Sequence, residues 1–131
     1  MASKVLVVDD QNGVRRLLEE LFKKEGYEVT AAADGLESLE KVKTSSPDLI
    51  LMDMKMPNMN GLEASQEIRK INSNIPIIMM TAYGETDVAQ KALELGVRKY
   101  ITKPFDILAL RDMVREVLGQ EADKISKTKA K

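Results

Sequence analysis

Neither cysteine nor histidine occurs in the 131 residues, and tryptophan is missing as well. The first absence excludes disulfides, thiolate nucleophiles and Cys-ligated metals; the second removes the usual general base near neutral pH and the commonest zinc ligand. Any metal bound here must therefore be held by oxygen. Charge of one sign is also lacking. Twenty basic and 21 acidic side chains give a net charge of −1, without the broad positive field that nucleic acid demands. No apolar run approaches the roughly 20 residues that span a bilayer. Only four apolar residues follow Lys4 before Asp9 and Asp10, too few for the core of a signal peptide. The expectation is a cytoplasmic chain with no nucleic-acid or membrane partner.

What is present is a 44% hydrophobic, 31% charged composition on a length suited to one core. Lys4 to Asp9 reads as a buried strand ending in two acids. Val14, Leu17, Leu18, Leu21 and Phe22 then follow the i, i+3, i+4, i+7, i+8 spacing of one helix face, stopped by Gly26. Glu28 to Ala32 is a more polar strand, and Asp34-Gly35 opens a helix expected to turn Leu36, Leu39 and Val42 inward. A third strand (Leu49, Ile50, Leu51, Met52) delivers Asp53 to a loop. A helix from Gly61 to Ile71 follows, with Leu62, Ala64, Ile68 and Ile71 as its apolar residues. Ile75 to Thr81 is another buried run ending in a hydroxyl. Thr86 to Leu95 reads as a helix with Val88, Ala92 and Leu95 on one side, and Lys99 to Thr102 as a short strand. Asp106 is placed to cap a last helix that carries Leu110, Met113, Val114, Val117 and Leu118.

Five strands alternating with five helices imply a doubly wound, flavodoxin-like α/β domain with a parallel sheet. The first, third and fourth strands are continuous apolar runs, as strands covered on both faces should be, and the second and fifth suit edges. That selects the order 2-1-3-4-5, in which ligands gather outside the carboxyl ends of strands one and three. Asp9, Asp10 and Asp53 should converge there. Paired carboxylates at about 4 Å repel by about 4 kcal/mol at an effective dielectric near 20, so something must neutralise them. Oxygen ligands alone suit Mg²⁺, with Mn²⁺ as a substitute, and Mg²⁺ commonly shares its sphere with phosphate. Aspartate is a competent nucleophile toward phosphorus, and Thr81 and Lys103 at the ends of the remaining strands supply a hydroxyl and an ammonium for the phosphoryl oxygens. Singly, each of these residues suits a helix cap, a strand end or a solvated surface. Four strand ends of five carrying the parts of one site favour the chemical reading.

Asp9-Asp10, Asp53 with Met56-Pro57 and Gly61, Thr81-Ala82, and Lys103-Pro104-Phe105 together resemble, in order and spacing, the receiver domain of two-component response regulators. The resemblance implies that Asp53 accepts a phosphoryl group from a phosphohistidine on a sensor histidine kinase. Mg²⁺ would be held by Asp9, Asp10, Asp53 and the backbone carbonyl of Lys55, and Lys103 would pair with the phosphoryl group. It further implies a cis Lys103–Pro104 peptide, and a switch in which Tyr100 turns inward as Thr81 moves. The wording DDQNGVR, LMDMKMP, MTAYGETD and KPFD is similar to the stand-alone, sporulation-type phosphorelay regulators of this family. In that reading Lys55 and Tyr83 tune loss of the phosphoryl group to water, and the group passes on to a histidine phosphotransferase, with an aspartyl-phosphate phosphatase as a third partner. Docking is expected through Gln11, Asn12, Gly13, Val14, Tyr83, Gly84, Glu85, Pro104 and Phe105. The expected organisation is a receiver domain over residues 1–119 and a frayed, solvated tail over 120–131, with no output domain.

Three other readings differ in what they require. A chemotaxis-type switch keeps the chemistry but grips a target through the fourth helix, fifth strand and fifth helix, without onward transfer. A phosphatase with an aspartyl-phosphate intermediate carries its nucleophile on the first strand with a second acid two residues later, where this chain has Gln11. An FMN protein needs a hydroxyl- and glycine-rich loop after the first strand, and none follows.

Overall fold

The computed structural model describes residues 2–82 and 86–129. Strand and helix alternate along the chain: β1 (Lys4–Val8), α1 (Asn12–Lys24), β2 (Glu28–Ala32), α2 (Gly35–Ser45), β3 (Leu49–Asp53), α3 (Gly61–Ile71), β4 (Ile77–Ala82), α4 (Thr86–Glu94), β5 (Lys99–Lys103) and α5 (Ile107–Lys129). All strand pairs are parallel, in the order β2-β1-β3-β4-β5. Tyr83, Gly84 and Glu85, expected in docking and, for Tyr83, in tuning hydrolysis, lie outside the described residues. The backbone of α5 stays helical to Lys129, through most of the segment assigned to a frayed tail.

The apolar runs of β1, β3 and β4 arise because both faces of the sheet are covered. Period-two alternation sends Leu6, Val8, Ile50, Met52, Ile77 and Met79 to one core, with Val42, Ala64, Ile68 and Ala92 from α2, α3 and α4. Val5, Val7, Leu49, Leu51, Ile78 and Met80 go to the other, against Leu18, Phe22, Leu110, Val114 and Val117 from α1 and α5. Each fully buried large apolar side chain contributes about 1.5–3 kcal/mol. Gly26 and Gly96 end α1 and α4 at φ +93° and +97°, a left-handed turn that costs glycine no clash.

The inward faces of the helices differ from the sequence expectation at four places. Leu17, Leu36, Ile71 and Leu95 are 47%, 56%, 40% and 38% exposed. The buried stripes are narrower and include small residues. Leu18 and Phe22 carry α1; Ser38 takes an inward place on α2, Ser65 on α3 and Ala89 on α4. A helix lying close on a sheet leaves room at the contact for small side chains, and at 100° per residue Leu17, Leu36, Ile71 and Leu95 fall outside that narrow inner face. Ser65 Oγ is buried and finds no hydrogen-bond partner among the described residues.

Away from the acids, at the amino ends of the strands, the Arg69 guanidinium of α3 donates to Ile75 O at 2.6 Å and Gly96 O at 3.1 Å. It ties the entry of β4 to the end of α4.

Candidate functional site

Parallel register carries the chemical residues to one rim. Val8 pairs with Met52, so Asp9 follows β1 beside Asp53; Asp53 pairs with Met80, and Ala82 with Lys103. Asp9 is fully buried, Asp53 is 5% exposed and Thr81 is 2% exposed, whereas Asp10 faces solvent. One oxygen from each of Asp9, Asp10 and Asp53 can lie within 4.8 Å of the others. Lys103 Nζ sits 2.9 Å from Asp9 Oδ2 and 3.2 Å from Asp53 Oδ1, joining the last strand to the first and third. The Lys103–Pro104 peptide bond is cis.

Burial, and then the charge of Asp9, push the Asp53 carboxyl from 3.8 up to about 6, against the downward pull of Lys103. For Lys103 burial alone works downward, but hydrogen bonds and charge from Asp9 and Asp53 outweigh it, so its pKa is raised. The rim thus holds more negative charge than a single ammonium balances. A group that has lost its water shell here needs a further cation or a proton.

Several contacts that fix the site carry no signal in the sequence. The Arg15 guanidinium donates to the backbone carbonyl of Asp9 at 2.7 Å, and the Gln11 N–H donates to Asp9 Oδ1 at 2.9 Å. Gly61 enters α3 directly against the end of β3: its N–H donates to Met54 O at 2.8 Å. A Cβ there would meet Asp53 O at 2.6 Å and Met79 Sδ at 2.8 Å. The sequence marks Gly61 as the start of a helix; that this start presses on the aspartate's own carbonyl is a tertiary fact.

Among the described residues Thr81 Oγ1 makes one bond, a long one of 3.5 Å to Ile101 O. Tyr100 is 37% exposed and turned outward. A cleft beside the acids is lined by Asp10, Met54, Lys55, Met56, Asn60 and Val88, which brings Lys55 to its wall. Of the expected docking residues, Gln11, Asn12, Gly13 and Pro104 are exposed, Val14 and Phe105 half-buried. They flank the rim at the start of α1 and the end of β5.

Buried aspartate, acid pair, hydroxyl and lysine at one rim of a parallel sheet invite comparison with known proteins. The chain is 49% identical over 118 residues to sporulation initiation phosphotransferase F of Bacillus subtilis, covering 90% of this chain and 95% of that protein. It is 38% identical over 122 residues to regulatory protein AtoC of Escherichia coli, covering 93% of this chain but spanning only 26% of that protein. The Vibrio cholerae chemotaxis protein CheY4, 32% identical, matches with a TM-score of 0.84 over 89% of this chain and 99% of that one. Residues 5–115 match the response regulator receiver domain family, and the chain belongs to that family, the receivers of two-component systems.

Proposed function

We propose that this receiver is a phosphoryl carrier: Asp53 takes the group from a phosphohistidine of a sensor histidine kinase and passes it to a histidine phosphotransferase in the cytoplasm. The observation that carries the reading is Lys103 Nζ at 2.9 Å from Asp9 and 3.2 Å from Asp53, one cation set among clustered acids. A 49% identity that covers 95% of a protein named for sporulation phosphotransfer supports the relay over a receiver that only switches.

The hard-oxygen donor set of Asp9, Asp10 and Asp53 fits Mg²⁺, with Mn²⁺ as substitute, and the Lys55 carbonyl would complete the protein's share. Bound there, the ion would neutralise charge on the phosphoryl oxygens. The chain's own residues do the rest. Above about pH 6 Asp53 is predominantly ionised, and one of its oxygens attacks phosphorus. The O–P bond forms as the P–N bond breaks, and the imidazole leaves with that electron pair. Lys103 moves its ammonium to the phosphoryl oxygens, and the loosely held Thr81 hydroxyl turns to donate to them. That movement vacates space toward which Tyr100 rotates. Lys55 at the cleft wall, with Tyr83, sets how readily water reaches the acyl phosphate. Gln11, Asn12, Gly13, Val14, Pro104 and Phe105 form the docking edge.

Incubation with a phosphorylated kinase and Mg²⁺ labels the wild type and not Asp53→Asn; full-rate labelling of the variant overturns the assignment. Adding a histidine phosphotransferase then drains the label. Label that stays on Asp53 while the protein gains a new binding partner favours the chemotaxis-type switch.

A further inference from the structure

The Asn-Gly step occurs twice, at Asn12–Gly13 and Asn60–Gly61, and the fold holds the two in opposite ways. This dipeptide can react with itself, because a glycine without a side chain lets its backbone nitrogen approach the neighbouring side-chain carbonyl.

Around Asn60 the backbone and the attacking nitrogen are both held in place. Its Oδ1 accepts from Glu63 N at 2.9 Å, and the Glu63 carboxylate accepts from Asn60 N at 3.1 Å, a complete capping box. The nitrogen that would attack, Gly61 N, is committed to Met54 O at 2.8 Å, and Gly61 is wedged against Asp53.

Asn12 is held by none of these. It begins α1, whose N-cap residue Gln11 makes no side-chain cap bond and whose first turn contains no acid. Asn12 and Gly13 are exposed, a Cβ on Gly13 would meet nothing within 4 Å, and among the described residues no hydrogen bond engages Gly13 N–H. An uncapped turn with glycine in its second position opens easily. The positive end of the α1 dipole favours loss of the Gly13 amide proton. Arg15 donates to Asn12 Oδ1, which polarises the side-chain carbonyl and would stabilise negative charge developing on that oxygen.

We propose that Asn12 is a self-modification site of this protein. Deprotonated Gly13 N attacks Asn12 Cγ; the new C–N bond closes a succinimide as the bond to the side-chain nitrogen breaks and ammonia leaves with a proton. Water then opens the ring to aspartate or isoaspartate. The product is a carboxylate two residues beyond Asp10, at the edge of the acidic rim.

Incubating the folded protein in mildly alkaline H₂¹⁸O, followed by peptide mapping, tests this. Asn12 takes up ¹⁸O at least about tenfold faster than Asn60, a ratio that corresponds to about 1.4 kcal/mol of extra holding at the capped step. In urea, where both steps are unstructured, the ratio falls toward unity. Gly13→Ala, which enters open space, slows uptake at position 12 by about tenfold and leaves Asn60 unchanged, and Glu63→Ala, which opens the capping box, speeds Asn60. Equal rates at the two sites in the folded protein, a ratio unaltered by urea, or undiminished uptake in Gly13→Ala each overturn the proposal.

Discussion

A Cβ on Gly61 would lie 2.6 Å from the carbonyl oxygen of Asp53, closer than real Cβ contacts come, and 2.8 Å from Met79 Sδ. The first residue of α3 therefore sets the height at which β3 presents its aspartate. Gly61→Ala must displace backbone, and we expect a loss of about 1–3 kcal/mol in urea unfolding together with slower labelling of Asp53. Gly13→Ala meets nothing, and gains up to about 1 kcal/mol from helix propensity. Equal midpoints for the two variants contradict this account.

Asp53 also makes the protein's stability depend on pH. Its carboxyl is raised from 3.8 to about 6, by burial first and by Asp9 second. A raised pKa means that the native state holds the proton more tightly than the unfolded chain does. The contribution is thus fully present below 3.8 and is lost as pH rises through about 6. Asp53→Asn cannot titrate, so its stability relative to wild type grows across that window and levels off above it. Urea midpoints measured between the two values check the sign; a constant difference contradicts it.

The strands could be read from the sequence because a sheet covered on both faces writes itself as uninterrupted apolar runs, as in Leu49 to Met52. That Asp9, Asp53, Thr81 and Lys103 share one rim could be read because parallel strands send every carboxyl end to the same side. The helix faces were less legible. Hydropathy favours Leu36 over Ser38 and Leu95 over Ala89, but close approach to a sheet selects for size at those positions. Arg15 reaching the Asp9 carbonyl and Gly61 pressing on Asp53 depend on contacts between elements, which no local pattern encodes.

Lys103 stands where a divalent ion would relieve the same charge. Lys103→Met leaves Asp9 and Asp53 facing each other, and we expect a loss of about 1–3 kcal/mol in metal-free buffer at neutral pH. Mg²⁺ restores part of it. At a hundred times its dissociation constant a ligand that binds only the native state adds about 2.7 kcal/mol. Melting curves with and without MgCl₂ should show a larger gain in the variant than in the wild type; equal gains contradict competition between lysine and metal.

Asp10 separates binding from folding, because it is the exposed member of the acid group. Asp10→Asn should change stability by no more than about 0.5 kcal/mol. It should weaken Mg²⁺ by at least about tenfold in a calorimetric titration. Unchanged affinity removes Asp10 from the ligand set.

Arg69 fastens both Ile75 O and Gly96 O at the end of the sheet remote from the acids. Its end pinned there, α4 is also held along its inner face by Ala89 and Ala92, both buried against the sheet. A displacement at the acidic rim would therefore have to be absorbed above this clasp, while the base of the sheet stays still.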